Sequence, residues 1–163
     1  MWKIIVQLWF FAGVFSSAFA GTYKVPPDEP LAALQIQDRW QTKEHGEMIE
    51  TVSPDGAWRF LVTPPEPNKI TESMGEVMRY IRNTGGIIVK AESLKRERRK
   101  LNGMDARCIS WEAKDKNGDV KISFNVVSIA ENKPLLVASW GSPAAEKKHR
   151  AELNRILKSI KKA

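Results

Sequence analysis

Three turn signals in the second half of the chain restrict its fold more than any other feature. Asn102-Gly103 stands between the runs Ser93–Leu101 and Met104–Ala113. Asn-Gly is the strongest short hairpin signal, because both residues accept the left-handed backbone that a tight turn needs. Lys116-Asn117-Gly118-Asp119 and then Glu131-Asn132-Lys133 follow, and each precedes another strand-like run. Val120, Ile122, Phe124 and Val126 alternate with Lys121, Ser123 and Asn125, the period-two pattern of a strand with one buried face. The phase slips at Val126-Val127, which predicts a bulge or burial on both faces. Leu135–Trp140 reads as a buried strand. Strands joined by such short turns must be antiparallel. Residues 93–140 therefore predict a four-strand meander.

The first half of the domain adds three strands and a helix. Leu31–Gln37 and Met48–Val52 are strand-like. Ser53-Pro54-Asp55-Gly56 has turn chemistry, and Ala57–Thr63 follows, with Trp58, Phe60 and Val62 on one face. Pro64-Pro65-Glu66-Pro67 breaks the strand. Ile70, Met74, Val77, Met78 and Ile81 then recur at helical spacing, with Asn68 as the expected N-cap and Gly85-Gly86 as the stop. The two Met read as core rather than as a cofactor site. Ser142-Pro143 opens a last helix striped by Leu153, Ile156, Leu157 and Ile160. The expected fold is α+β: an antiparallel sheet of about six to seven strands, with two principal helices packed on it.

The amino terminus carries an address. Met1-Trp2-Lys3 is short and basic, Ile4–Phe15 is nearly all apolar, and Ala18-Phe19-Ala20 puts small residues before Gly21. This is the pattern of a cleaved secretory signal peptide over residues 1–20, with an apolar run too short to span a bilayer. It predicts export to the periplasm or outside the cell, with cleavage after Ala20. Residues 21–30 include Pro26-Pro27 and read as a flexible, extended arm. Residues 31–163 then form a single domain, whose size and 42% hydrophobic content suit one core.

Charge and cysteine content narrow the function classes. The chain carries a net charge of +7. Charge of this sign suits anionic surfaces, acidic partners or simple solubility, and export argues against nucleic acid as a partner. Cys108 is the single cysteine, so no internal disulfide can form. Its strand-like context reads as a buried, inert thiol. His45 and His149 both sit among charges without a metal-ligand spacing, and both read as surface residues. Asp115-Lys116-Asn117-Gly118-Asp119 departs from a calcium loop in the position of its Gly, and a type I′ hairpin is the better reading. Motifs for a nucleophile elbow, a phosphate loop or a dinucleotide fingerprint are lacking. The expectation is a protein without a catalytic set, resident metal or cofactor.

One surface feature stands out. Lys95-Arg96-Glu97-Arg98-Arg99-Lys100 is charged at every position. In a strand, Arg96, Arg98 and Lys100 point one way, and Lys95, Glu97 and Arg99 the other. Such a strand belongs at a sheet edge, where charge blocks edge-to-edge aggregation. The alternative is that Lys95, Arg96, Arg98, Arg99 and Lys100 form a docking surface for an acidic partner or an anionic membrane.

Several stretches together resemble the PsbP/DcrB-like family, small exported α/β proteins related in fold to the extrinsic PsbP subunit of photosystem II. They are Gln35–Trp40, Ser53–Ala57, the Ile70–Ile81 helix, Leu101–Met104, Ile109–Trp111 before the Lys116-Asn117-Gly118 turn, and Trp140–Pro143. The resemblance spans most of residues 31–160. It implies an antiparallel sheet between helices, a PsbP-like α/β/α sandwich, and an accessory or protein-binding role without catalytic residues to carry over. Two functions are therefore expected in order: a non-catalytic exported accessory or binding protein that engages an unknown protein or envelope component, and a small-ligand binder with a pocket between sheet and helices. An enzyme ranks third.

Overall fold

The computed structural model describes residues 20–163, so the expected signal peptide, apart from Ala20, lies outside the described residues. In chain order the strands and helices are β1 (Ala20–Val25), β2 (Ala32–Gln37), β3 (Gln41–His45), β4 (Met48–Val52), β5 (Trp58–Thr63), α1 (Ile70–Gly85), β6 (Ile88–Val89), β7 (Lys95–Leu101), β8 (Met104–Asp115), β9 (Gly118–Ala130), β10 (Lys133–Gly141), α2 (Pro143–Ser159) and β11 (Lys161–Lys162). Eight strands form one antiparallel sheet in the order β3-β4-β5-β10-β9-β8-β6, with β7 also paired to β8. β1, β2 and β11 form a second sheet.

Residue parity divides the core in two. Trp58, Phe60, Val62, Val127, Leu135 and Val137 face the small sheet and α2. Leu61, Ile122, Phe124, Leu136 and Ala138 face α1, whose Val77 and Ile81 are buried against them. β10 lies in the middle with both faces covered, and Leu135, Leu136, Val137 and Ala138 are each 0% exposed. A strand buried on both faces reads as a continuous apolar run rather than an alternating one.

The same geometry explains the phase slip in β9. Phe124 and Val126 face α1, while Val127 and Ile129 face α2. The register through Val126 and Val127 is unbroken, so two-sided burial is the cause there. The bulge falls later, where Lys133 pairs with Ala130 and Pro134 with Ser128.

Other details depart from the sequence expectations. The stretch read as an arm is β1, which pairs with β2 from Ala20↔Gln37 to Val25↔Ala32, and Val25 is fully buried. Its alternation is too short and polar to signal a strand without its partner. β3 was not expected either, because Gln41–His45 is a largely polar edge strand. Asn68 does not cap α1: a 3-10 turn over Pro67–Lys69 runs straight into the helix, and Lys69 takes the cap position without a side-chain bond. Asn102 (φ 50°) and Gly103 (φ 81°) make the expected left-handed hairpin. The next hairpin is not type I′. Asp115 pairs with Gly118, the left-handed residue is Gly118, and Asn117 N–H donates to Asp115 Oδ1 at 2.7 Å, an Asx turn.

Candidate docking surface and the clusters around it

β7 hangs on β8 in the register Lys95↔Ser110 to Leu101↔Met104, and among the described residues no strand pairs its outer edge. Lys95, Arg96, Glu97, Arg98, Arg99 and Lys100 are all exposed, while Leu101 at the hairpin end is buried in the core beneath α2. Two of the basic residues have partners. Lys100 Nζ lies 2.7 Å from Asp105 Oδ1, and this contact holds the Asp105 carboxyl below its ordinary range. Arg99 Nη2 donates to buried Asn125 Oδ1 at 2.5 Å, on the α2 side of the sheet. Arg96 and Arg98 face the α1 side, and among the described residues neither has a salt bridge. Arg98 stands directly across from Arg107 on β8.

On that side a groove of about 720 Å³ separates the start of α1 from the sheet. Ile70, Thr71 and Met74 line its helix wall, and Ile109, Val126 and Ser128 belong to its sheet side. Met74 and Met78 pack on the core as expected.

The sequence missed the most heavily bonded cluster. His149 is not a surface residue. It is 5% exposed and inside the α2 face. Its Nε2 lies 2.9 Å from Asp55 Oδ2, and its ring stands edge-on to Trp40 with centroids 5.7 Å apart. Buried Glu152, one turn along α2, accepts from Trp40 Nε1 at 2.6 Å and from the Arg39 guanidinium. Asp55 also receives Lys148 Nζ at 2.7 Å and Ser53 Oγ at 2.7 Å. The Lys148 contact first, then Ser53 and His149, hold the Asp55 carboxyl well below the usual range. The only sequence signal was helical spacing: His149, Glu152, Leu153 and Ile156 share one face of α2.

This cluster clamps α2 to the turn between β4 and β5. Ser53 is 1% exposed, and its Oγ both donates to Asp55 and accepts from Trp58 N–H at 2.9 Å. His149 Nδ1 is buried without a hydrogen-bond partner, 4.0 Å from Glu152 Oε1. A smaller network sits under α1. Buried Glu50 accepts from Tyr80 Oη at 3.0 Å and from Arg59 Nη1 at 3.1 Å. Burial, then the adjacent Glu50, pushes the Tyr80 phenol up. Cys108 is buried, with its Sγ 3.5 Å from Ser123 Oγ. Among the described residues no three His, Cys, Asp or Glu are grouped to hold a metal ion, and no helix is long and apolar enough to cross a membrane.

A twisted antiparallel sheet with a helix on each face and a small sheet beside α2 defines an α+β sandwich. No protein-family model matches the chain, and no curated protein matches it. Solved structures do match. The solution structure of cyanobacterial PsbP from Synechocystis sp. PCC 6803 aligns with a TM-score of 0.56 at 9% identity, covering 93% of this chain and 96% of that one. A crystal structure from Bacteroides thetaiotaomicron VPI-5482 aligns with a TM-score of 0.53 at 10% identity over 82% of this chain, which spans 45% of that one. The crystal structure of LpqN, involved in cell envelope biogenesis of Mycobacterium tuberculosis, gives 0.45 at 11% identity, covering 87% of this chain and 90% of that one. The chain has the PsbP-like fold.

Proposed function

We propose that the protein is a non-catalytic, exported accessory protein that docks an acidic protein partner through β7. One observation carries this reading. Six consecutive exposed charged residues, five of them basic, occupy a strand whose outer edge is unpaired among the described residues. A free edge offers backbone hydrogen bonds to an added strand, and the basic side chains select an acidic one. The occupied roles of Ser53 and His149 in the α2 clamp also support a binding protein over an enzyme.

The test replaces Arg96, Arg98 and Arg99 with Gln. The variant should stay folded: the exposed Arg96 and Arg98 heads should each change stability by no more than about 0.5 kcal/mol, and losing the Arg99 bond to buried Asn125 should cost about 1–3 kcal/mol. It should recover less of an acidic partner in pull-downs from an envelope extract. The loss should be largest at low salt, since exposed charges are screened within about 8 Å at physiological ionic strength. Equal recovery by variant and wild type at both salts leaves β7 with edge protection alone. Loss only of co-sedimentation with anionic vesicles would replace the protein partner with a membrane surface.

A further inference from the structure

The Arg98–Arg107 pair is the least economical feature of the sheet. Like charges placed directly opposite on neighbouring strands destabilise the pairing. Here two guanidinium side chains face each other across β7 and β8, on the α1 side. Both are exposed. Among the described residues the only carboxylate lining the adjoining groove, Asp105, is engaged by Lys100. Lys133 adds another cation to the groove lining.

The register converts this pair into the end of a graded row. Arg98 pairs with Arg107, Arg107 with Val126, and Val126 with Leu136. Along one transverse line the side chains pass from two exposed cations, through half-buried Val126, to fully buried Leu136. Ile70 and Met74 of α1 flank the same groove. Its volume of about 720 Å³ falls in the range of small-molecule sites, roughly 300–1,000 Å³. A concave site of this size encloses one small molecule.

We infer that this groove binds a free, monomeric amphiphile with an anionic head, a carboxylate or a phosphate, and an apolar tail. The head sits between Arg98 and Arg107, where a planar guanidinium pair can hold it by charge-assisted hydrogen bonds. The tail runs over Val126 and Ile109 beneath Ile70 and Met74. Binding relieves the repulsion between the two arginines. This site is separate from partner docking at the outer edge of β7, although Arg98 contributes to both.

The experiment is titration of the purified protein with dansyl-undecanoate below its aggregation concentration, followed by fluorescence. Saturable binding is expected, displaced by laurate and by dodecyl phosphate but not by the uncharged dodecyl maltoside. Arg107→Gln should weaken binding at least about tenfold, Arg107→Lys should restore part of the loss, and Thr71→Trp should block the groove. These variants leave the 95–100 run intact, so recovery of an acidic partner in the pull-down should be unchanged. Urea midpoints close to wild type establish that each variant is folded. Absence of saturable binding, equal displacement by dodecyl maltoside, or undiminished affinity in both Arg107→Gln and Thr71→Trp would overturn the inference. So would binding only to phosphatidylglycerol vesicles with none to the free probes.

Discussion

His149 Nε2 lies 2.9 Å from Asp55 Oδ2, and this contact ties the middle of α2 to the turn between β4 and β5. The turn is itself held by Ser53 Oγ, which donates to Asp55 at 2.7 Å and accepts from Trp58 N–H at 2.9 Å. One carboxylate therefore fixes a turn, a strand start and a helix. The Asp55 carboxyl is depressed in the folded protein, by Lys148 foremost. A depressed carboxylate adds stability above its unfolded pKa of about 3.9, and that stability is lost as pH falls below it.

Asp55→Asn should therefore flatten the acid limb of the stability profile below about pH 4. The effect at neutral pH should be modest, about 1 kcal/mol, because the side chain is 31% exposed and its pairing is screened. His149→Ala should cost more, about 1–3 kcal/mol, because it opens the interior and strands buried polar groups. Urea midpoints measured from acid to neutral pH decide both. An unchanged acid limb in Asp55→Asn would remove the carboxylate from the stability of the turn.

Trp140→Ala should cost about 3–5 kcal/mol. Trp140 is 4% exposed and packs edge-on to Tyr80, with ring centroids 6.3 Å apart. Trp111 is only half-buried, against Phe124 at 5.4 Å, so Trp111→Ala should cost less. Both should exceed removal of Lys95, Arg96, Glu97, Arg98 or Lys100, each of which should stay within about 0.5 kcal/mol; Arg99 stands apart because it bonds buried Asn125. Urea midpoints for the set test the ranking, and a Trp111 cost equal to that of Trp140 would contradict the exposure difference.

The hairpins, both helices and most of the central sheet were legible because their signals are local. Asn102-Gly103, Ser142-Pro143 and the stripe from Ile70 to Ile81 each encode their element within a few residues. Long-range pairing hid the rest. β1 gains its identity only from β2, and β11 only from Ala32 and Ala33. The His149 cluster joins residues from 39 to 152, and its polar members look like solvent-facing residues in a linear reading. The basic run was visible as a charged edge strand. Its relation to Arg107 was not, because a cross-strand pair depends on the hairpin register.

Gly141→Ala should destabilise the protein by about 1–3 kcal/mol. A Cβ at Gly141 would overlap the Ala57 carbonyl oxygen and stand 3.1 Å from Trp58 Cα. Those atoms belong to the backbone at the start of β5, which pairs with β10 at Gly141↔Trp58. Relief requires the two strands to part just before Ser142 caps α2 through Ala145 N–H. Thermal melts of the variant check the cost, and a wild-type midpoint would mean that this end of the sheet shifts freely.

The amino terminus gives the last prediction. Cleavage after Ala20 would remove only the first residue of β1 and leave Gly21–Val25 to pair with β2. Intact mass and N-terminal sequencing of the protein recovered from the periplasm or medium should therefore give Gly21 as the first residue. A chain beginning instead at Pro26 loses Val25, which is fully buried, and uncovers the edge of β2 that it had paired. Burying a Val side chain contributes about 1.5–3 kcal/mol, so the shortened chain should unfold at lower urea than the chain beginning at Gly21. Equal midpoints would return residues 21–25 to the status of an arm, and a retained Met1 in a soluble cytoplasmic fraction would remove the export address altogether.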